Sequence, residues 1–255
     1  REIDVEIVAR SIEFRDREAR LVVARDVTER LHEQRVREIE TQVLAQISTR
    51  QDLKAILRTV AAGIEQAAPD TVASILLLDA DRTHIRHGAA PSLPGSFTRA
   101  IDGIEIGPRV GSCGTAMYRG DTVIVDDIRT DPLWDGLAHL ADELGLRACW
   151  SKPVFDTRDN VVGSLALYYR EPREPEAWEA EMVELFGYSV GVAIERQRQD
   201  EALRVSEQRL RKLFREAATG IAVVTEDGGL VQANEVLARM LGFGERELME
   251  QNFLE

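Results

Sequence analysis

Lysine is nearly absent from this 255-residue chain: only Lys54, Lys152 and Lys212 occur, and the other 29 basic residues are arginine. Against 45 acidic residues they leave a formal charge of −13, and no Lys/Arg run exceeds two residues. Such a chain has no face that tracks phosphates, so nucleic acid and anionic lipid are not expected partners. Long apolar runs are missing too. The longest, Val72 to Leu78, contains Ser74 and falls far short of the ~20 residues a membrane span requires. Two cysteines, Cys113 and Cys149, are too few for a secreted disulfide framework. The four histidines show no C-x-x-C or H-E-x-x-H partner spacing, which sets a metal site aside. The opening Arg1-Glu2-Ile3-Asp4 has neither an initiating Met nor a charged-then-apolar signal. The expectation is a piece of a longer cytoplasmic polypeptide.

What is present is enough apolar residue, 44%, for one sizeable core with attachments or for two small domains. Residues 1–26 alternate as strands: Ile3, Val5 and Ile7 precede a polar stretch at 15–18, and Leu21, Val22 and Val23 follow it. This predicts a hairpin. From Val27 the period becomes helical, with Leu31, Val36, Ile39, Val43 and Ile47 between charged residues. Asp26 and Glu29 have the spacing of a capping box, and Asp52 reads as the cap of a second helix ending near Pro69. The middle is mixed: strands over 71–79, 83–87 and 122–127, a short helix over 96–101, a glycine-rich stretch over 102–114, and a helix from Asp131 to Leu144. Two strands over 147–155 and 160–169, joined by Asp156-Thr157-Arg158-Asp159, predict an antiparallel hairpin. A long helix runs over about 176–216. Its first half is apolar enough to pack on the domain. Its second half keeps only a narrow stripe at Leu203, Leu210, Leu213 and Phe214, which fits a two-helix coiled-coil seam. A D-G turn then joins strands 221–225 and 230–233, Asn234 caps helix 235–241, and Gly242 ends it.

Several blocks carry a family likeness. Gly111-Ser-Cys-Gly-Thr-Ala116, Val123-Ile-Val-Asp-Asp-Ile128, Asp131-Pro-Leu-Trp134, Gly145-Leu-Arg-Ala-Cys-Trp-Ser-Lys-Pro153 and Tyr168-Tyr-Arg-Glu-Pro172 together resemble a bacterial GAF domain over residues 38–198. Residues 1–26, running into Asp26-Val27-Thr28, resemble the closing half of a PAS domain. Residues 217–255, with the D-G turn, Asn234 and Leu241-Gly-Phe243, resemble the opening half of another. Residues 27–50 are then a linker helix leading into the GAF domain, and 176–216 a signalling helix leading out. The implied fold is α+β: a GAF-like antiparallel sheet with helices on one face and a loop/helix lid on the other. The implied role is regulation of a histidine kinase or a diguanylate cyclase/phosphodiesterase in a two-component or cyclic-diguanylate pathway. No output-enzyme motif occurs in the sequence, so the chain is expected to be non-catalytic.

GAF relatives bind several small molecules. Bilin-binding relatives attach the pigment through a cysteine followed by histidine, and that place is held by Gly136 and Leu137. The N-K-x-F-x-x-x-D-E string of cyclic-nucleotide relatives does not occur, and nothing marks His84, His87 or His139 as a haem ligand. Covalent bilin, cyclic nucleotide and haem are each disfavoured, and the cofactor is left unassigned. Free-methionine-sulfoxide reductase, itself a GAF fold, shares the segment Cys113-Gly114-Thr115-Ala116, but its attacking cysteine lies further ahead of the strand-ending proline than Cys149 does. The two cysteines therefore read as small buried fillers, as a redox sensor, or as the thiols of such an enzyme.

The remaining expectation is a non-covalent pocket roofed by residues 90–114 and 131–144. Cys149 and Ser151 share one face of their strand, and Trp150 and Lys152 share the other. The candidate ligand-binding residues are Ser112, Cys113, Asp127, Trp134, Cys149 and Ser151, with Trp134 as a flat wall. The helix seam is Leu31, Val36, Ile39, Leu203, Leu210 and Leu213, and the PAS-to-helix junction is Asp26, Thr28 and Glu29. Together these predict a parallel homodimer that converts small-molecule occupancy into a helix shift. The competing role is a ligand-free dimerisation spacer, which a cavity filled by Trp134 and neighbouring leucines would favour.

Overall fold

A computed structural model describes residues 3–14, 17–244 and 247–248. The chain divides into two compact units, Arg1–Glu195 and Arg196–Glu255. The first begins with an antiparallel pair, β1 (Val5–Phe14) and β2 (Arg17–Asp26), in register from Val5↔Asp26 to Phe14↔Arg17. Ile7, Val8, Leu21, Val22 and Val23 are all exposed on it. Residues 15 and 16 of the expected polar turn lie outside the described residues.

Helix α1 (Thr28–Ser48) follows, and its start corrects the capping-box expectation. Val27, not Asp26, occupies the cap position and makes no side-chain cap bond. Asp26 Oδ1 instead accepts from the Thr28 amide at 3.0 Å and the Thr28 hydroxyl at 2.7 Å. That hydroxyl accepts from the Asp4 amide at 2.9 Å, and the Val27 amide donates to the Asp4 carbonyl. Because the strand opposite supplies partners for the helix entry, Glu29 has no need to fold back; it sits in the first turn as favourable charge. Helix α2 (Leu53–Ala67) is capped as expected, by Asp52 accepting from Lys54 N.

The central sheet contains β3 (Thr71–Leu78), β4 (Ile85–Ala89), β5 (Val123–Val125), β6 (Ala148–Phe155) and β7 (Val161–Tyr169), in the order β4-β3-β7-β6-β5 and antiparallel throughout. One face packs against α1, α2 and the first half of α6 (Ala177–Glu216). Ile56, Val60, Ile75, Leu165, Leu167, Phe186 and Val190 form the middle of that core. Two close approaches set its geometry. A Cβ on Gly63 would collide with Ile39, where α1 crosses α2, and one on Gly191 would collide with the Phe155 carbonyl, where α6 lies over the end of β6.

The other face is covered by α3 (Gly95–Ile101), α4 (Gly111–Arg119), a 3-10 turn at Pro132–Trp134 and α5 (Ala138–Asp142). The single helix expected over 131–144 is thus two short pieces. Asp131 caps the first through Leu133 N, and Gly136 between them has φ +82°, a left-handed conformation that interrupts helical hydrogen bonding.

In the second unit β8 (Ala222–Val224) pairs with β9 (Leu230–Ala233), and α7 (Glu235–Leu241) follows. Asn234 organises it. Its Oδ1 accepts from Leu237 N and Ile221 N, and its Nδ2 donates to the Phe214 and Thr219 carbonyls, all within 3.0 Å. Gly242 ends α7 at φ +77°, as the glycine there predicts. Of the 217–255 segment, residues 245–246 and 249–255 lie outside the described residues.

Candidate functional site

The candidate site lies between the sheet and the roof. Side chains alternate faces along each strand, so Ser74 on β3, Ser164, Ala166 and Tyr168 on β7, and Cys149 and Ser151 on β6 point towards the roof. Ser74, Ala166 and Ser151 stand in one cross-strand row. This floor is small and polar, and α4 meets it with Gly111-Ser-Cys-Gly-Thr-Ala116, all buried. Small residues on both sides let the helix backbone settle close to the strands.

A chain of hydrogen bonds crosses this interface. The Trp134 Nε1 donates to Ser112 Oγ at 2.9 Å, and Ser112 donates to the Cys149 carbonyl at 3.3 Å. The Cys113 sulfur lies 3.1 Å from Ser151 Oγ and 3.7 Å from the Tyr168 hydroxyl, which accepts from Ser74. Ser151 Oγ is also 3.7 Å from the Cys149 sulfur. Ser164 Oγ is buried without a hydrogen-bond partner. These contacts shape the thiols. The neighbouring Cys149 thiol, with the Ser151 and Tyr168 hydroxyls adding to it, lowers the Cys113 thiol to about 7 despite burial. Burial pushes the Cys149 thiol and the Tyr168 phenol up.

Above the floor is a cavity of about 30 Å³, walled by Phe97, Ile101, Val110, Trp134, Leu137 and Tyr168 with Ser112 and Cys113 at its base. Trp134 and Phe97 both meet Tyr168 edge-on, at 6.5 and 6.1 Å between ring centroids. Room for about one water remains.

Of the six candidate ligand residues, five converge: Ser112, Cys113, Trp134, Cys149 and Ser151. Asp127 does not. It accepts from Arg147 Nη2 at 2.8 Å and from the Arg129 amide, and that guanidinium holds its carboxyl below the usual range. It is a clamp between the segment after β5 and the start of β6, held by the Arg147 ion pair. Tyr168, Ser74, Ser164 and Phe97 were not among the expected site residues. Strand alternation alone would have put Ser164 and Tyr168 on one face, but bringing Ser74 beside them requires the β3–β7 register. Among the described residues no group of three or more His, Cys, Asp or Glu side chains gathers as a metal site.

The seam residues separate into two sets. Ile39 is buried and Val36 half-buried against the core shared with α2. That takes Ile39 out of an intermolecular seam, since it fills the space over Gly63. Leu31 is half-buried, while Leu203, Leu210 and Leu213 are 60%, 64% and 60% exposed.

The GAF domain profile matches residues 50–195, more than half of the chain. The chain belongs to the GAF domain family. A PAS domain profile matches residues 208–255. Over 225 residues, 88% of its length, the GAF chain is 31% identical to the methyl sulfide methyltransferase-associated sensor of Methanosarcina acetivorans, and it spans 22% of that relative's length. Two solved structures share the fold. The GAF domain of a phosphoenolpyruvate-protein phosphotransferase from Coxiella burnetii has a TM-score of 0.55 at 16% identity, covering 66% of this chain and 98% of its own. Free methionine-R-sulfoxide reductase from Neisseria meningitidis, solved in complex with its substrate, has a TM-score of 0.53 at 21% identity, covering 70% and 96%. No helix among the described residues is long and apolar enough to cross a membrane.

Proposed function

We propose that this GAF domain is the sensory module of a cytoplasmic signal-transduction protein. It binds a small molecule under the roof and passes the change through α1 and α6 to an output domain, of histidine-kinase or cyclic-diguanylate cyclase/phosphodiesterase type, that this sequence does not carry. PAS segments at 1–26 and 217–255 flank it, and two copies pair in parallel through the α6 stripe. The carrying observation is the two-sidedness of β6. Cys149 and Ser151 touch the roof network, while Trp150 lies in the helix-side core and Lys152 pairs with Glu184 of α6. A displacement of the floor therefore reaches α6 through one strand. His32 of α1 stacks on Trp178 of α6 at 4.1 Å between centroids, so the entering and leaving helices are in contact.

The ligand acts by population shift: it favours whichever roof arrangement it binds better. Since the cavity holds about one water, binding requires Trp134 to leave Ser112, and Gly136 behind it is a suitable pivot. The filled cavity also favours a second reading, the ligand-free dimerisation spacer. Native mass spectrometry of the purified chain separates the readings. The sensor predicts a dimer carrying a small-molecule adduct that is lost in Trp134→Arg; the spacer predicts a dimer of bare chain mass. With Leu203→Glu and Leu210→Glu together, the dimer dissociates while the sheet stays folded. A persistent dimer would remove that seam.

A further inference from the structure

We propose that Cys113 and Cys149 are a redox site in their own right, closing to an intramolecular disulfide between α4 and β6 when hydrogen peroxide enters the cavity. The proposal goes beyond ligand sensing and does not depend on it. Both sulfurs surround one hydroxyl, Ser151 Oγ, at 3.1 and 3.7 Å. The Ser112 hydroxyl, one residue before Cys113, donates to the Cys149 carbonyl, so α4 is bonded to β6 next to both cysteines. Only the Cys113 side of the pair borders the cavity, whose room for about one water suits a molecule as small as peroxide.

The two thiols have different tasks. The nearby Cys149 thiol and the Ser151 and Tyr168 hydroxyls beside its sulfur favour ionised Cys113, whereas burial favours the protonated form of Cys149. The thiolate is the nucleophile in such chemistry, so Cys113 attacks first. Its sulfur bonds to one peroxide oxygen, the O–O bond breaks, and the departing hydroxide leaves as water with the proton Cys113 gave up. The sulfenic acid on Cys113 is then attacked by the Cys149 sulfur. The S–S bond forms, the S–O bond breaks, and the second hydroxide leaves with the Cys149 proton. Two thiols lose two electrons in all, and one peroxide becomes two waters. In a reducing compartment the pair rests as dithiol and the bond is transient. When formed, it ties the base of the roof to the strand whose opposite side touches α6.

The test uses the full chain, reduced and then treated with hydrogen peroxide. The expected product loses two hydrogens from the intact mass and yields a peptide linking Cys113 to Cys149 under non-reducing digestion. Cys149→Ser should accumulate a dimedone-reactive sulfenic acid on Cys113, and Cys113→Ser should slow oxidation at least tenfold. The proposal is overturned if oxidised wild-type chain retains two free thiols, if the cross-link joins two chains instead, or if the two single variants oxidise at equal rates.

Discussion

The two faces of the central sheet are buried equally and built differently. On the helix side Ile56, Leu57, Ile75, Leu167, Phe186 and Val190 are fully buried hydrocarbon. On the roof side Ser74, Ser151, Ser164 and Cys149 are as inaccessible, yet each brings a polar atom. Apolar burial stabilises in proportion to area and has no alternative arrangement. Hydrogen bonds among buried hydroxyls and thiols contribute little net, but their partners can be exchanged. The first face therefore holds the fold, and the second is where a ligand or an oxidant changes something.

The largest expected effect breaks the first face. Phe186→Ala should cost about 3–5 kcal/mol, read as a fall in the urea midpoint, and should expose both hairpin β6–β7 and α6 together. Trp134→Phe tests the second face: it removes the bond to Ser112 and should cost about 1 kcal/mol, with the sheet intact. Asp127→Asn should be milder still and pH-dependent. The folded-state carboxyl titrates below its unfolded value because of Arg147, so its contribution is present above the ordinary carboxylate range and is lost as pH falls through the folded value. The gap between variant and wild type should therefore close in acid unfolding curves. Ser164→Ala should cost nothing or stabilise slightly, since its hydroxyl is buried without a partner. A clear loss of stability would show that the roof-side polar atoms hold the fold after all.

Much of this architecture could be read from residue order. Local chemistry sufficed where one residue decides a turn: Asn234 and Gly242 bound α7, Asp52 caps α2, and strand alternation put Cys149 and Ser151 together. Reading failed where distant partners decide. Asp26 has the spacing of a capping box, yet its carboxylate accepts from Thr28, whose hydroxyl in turn accepts from the distant Asp4 amide. Asp131 to Leu144 has a helical pattern, but Gly136 adopts positive φ. Ile39 has the look of a coiled-coil position because its contact, Gly63, carries no side chain to signal the crossing. In the site, Tyr168 and Ser74 join Cys113 only through strand register, which no single segment encodes.

The relay through β6 is tested most directly by hydrogen exchange on Trp134→Ala, whose enlarged cavity imitates an opened roof. The account predicts faster exchange over 131–144 and also over the buried part of α6, Met182 to Ile194, across the sheet. Faster exchange confined to the roof, with α6 unchanged, would contradict it.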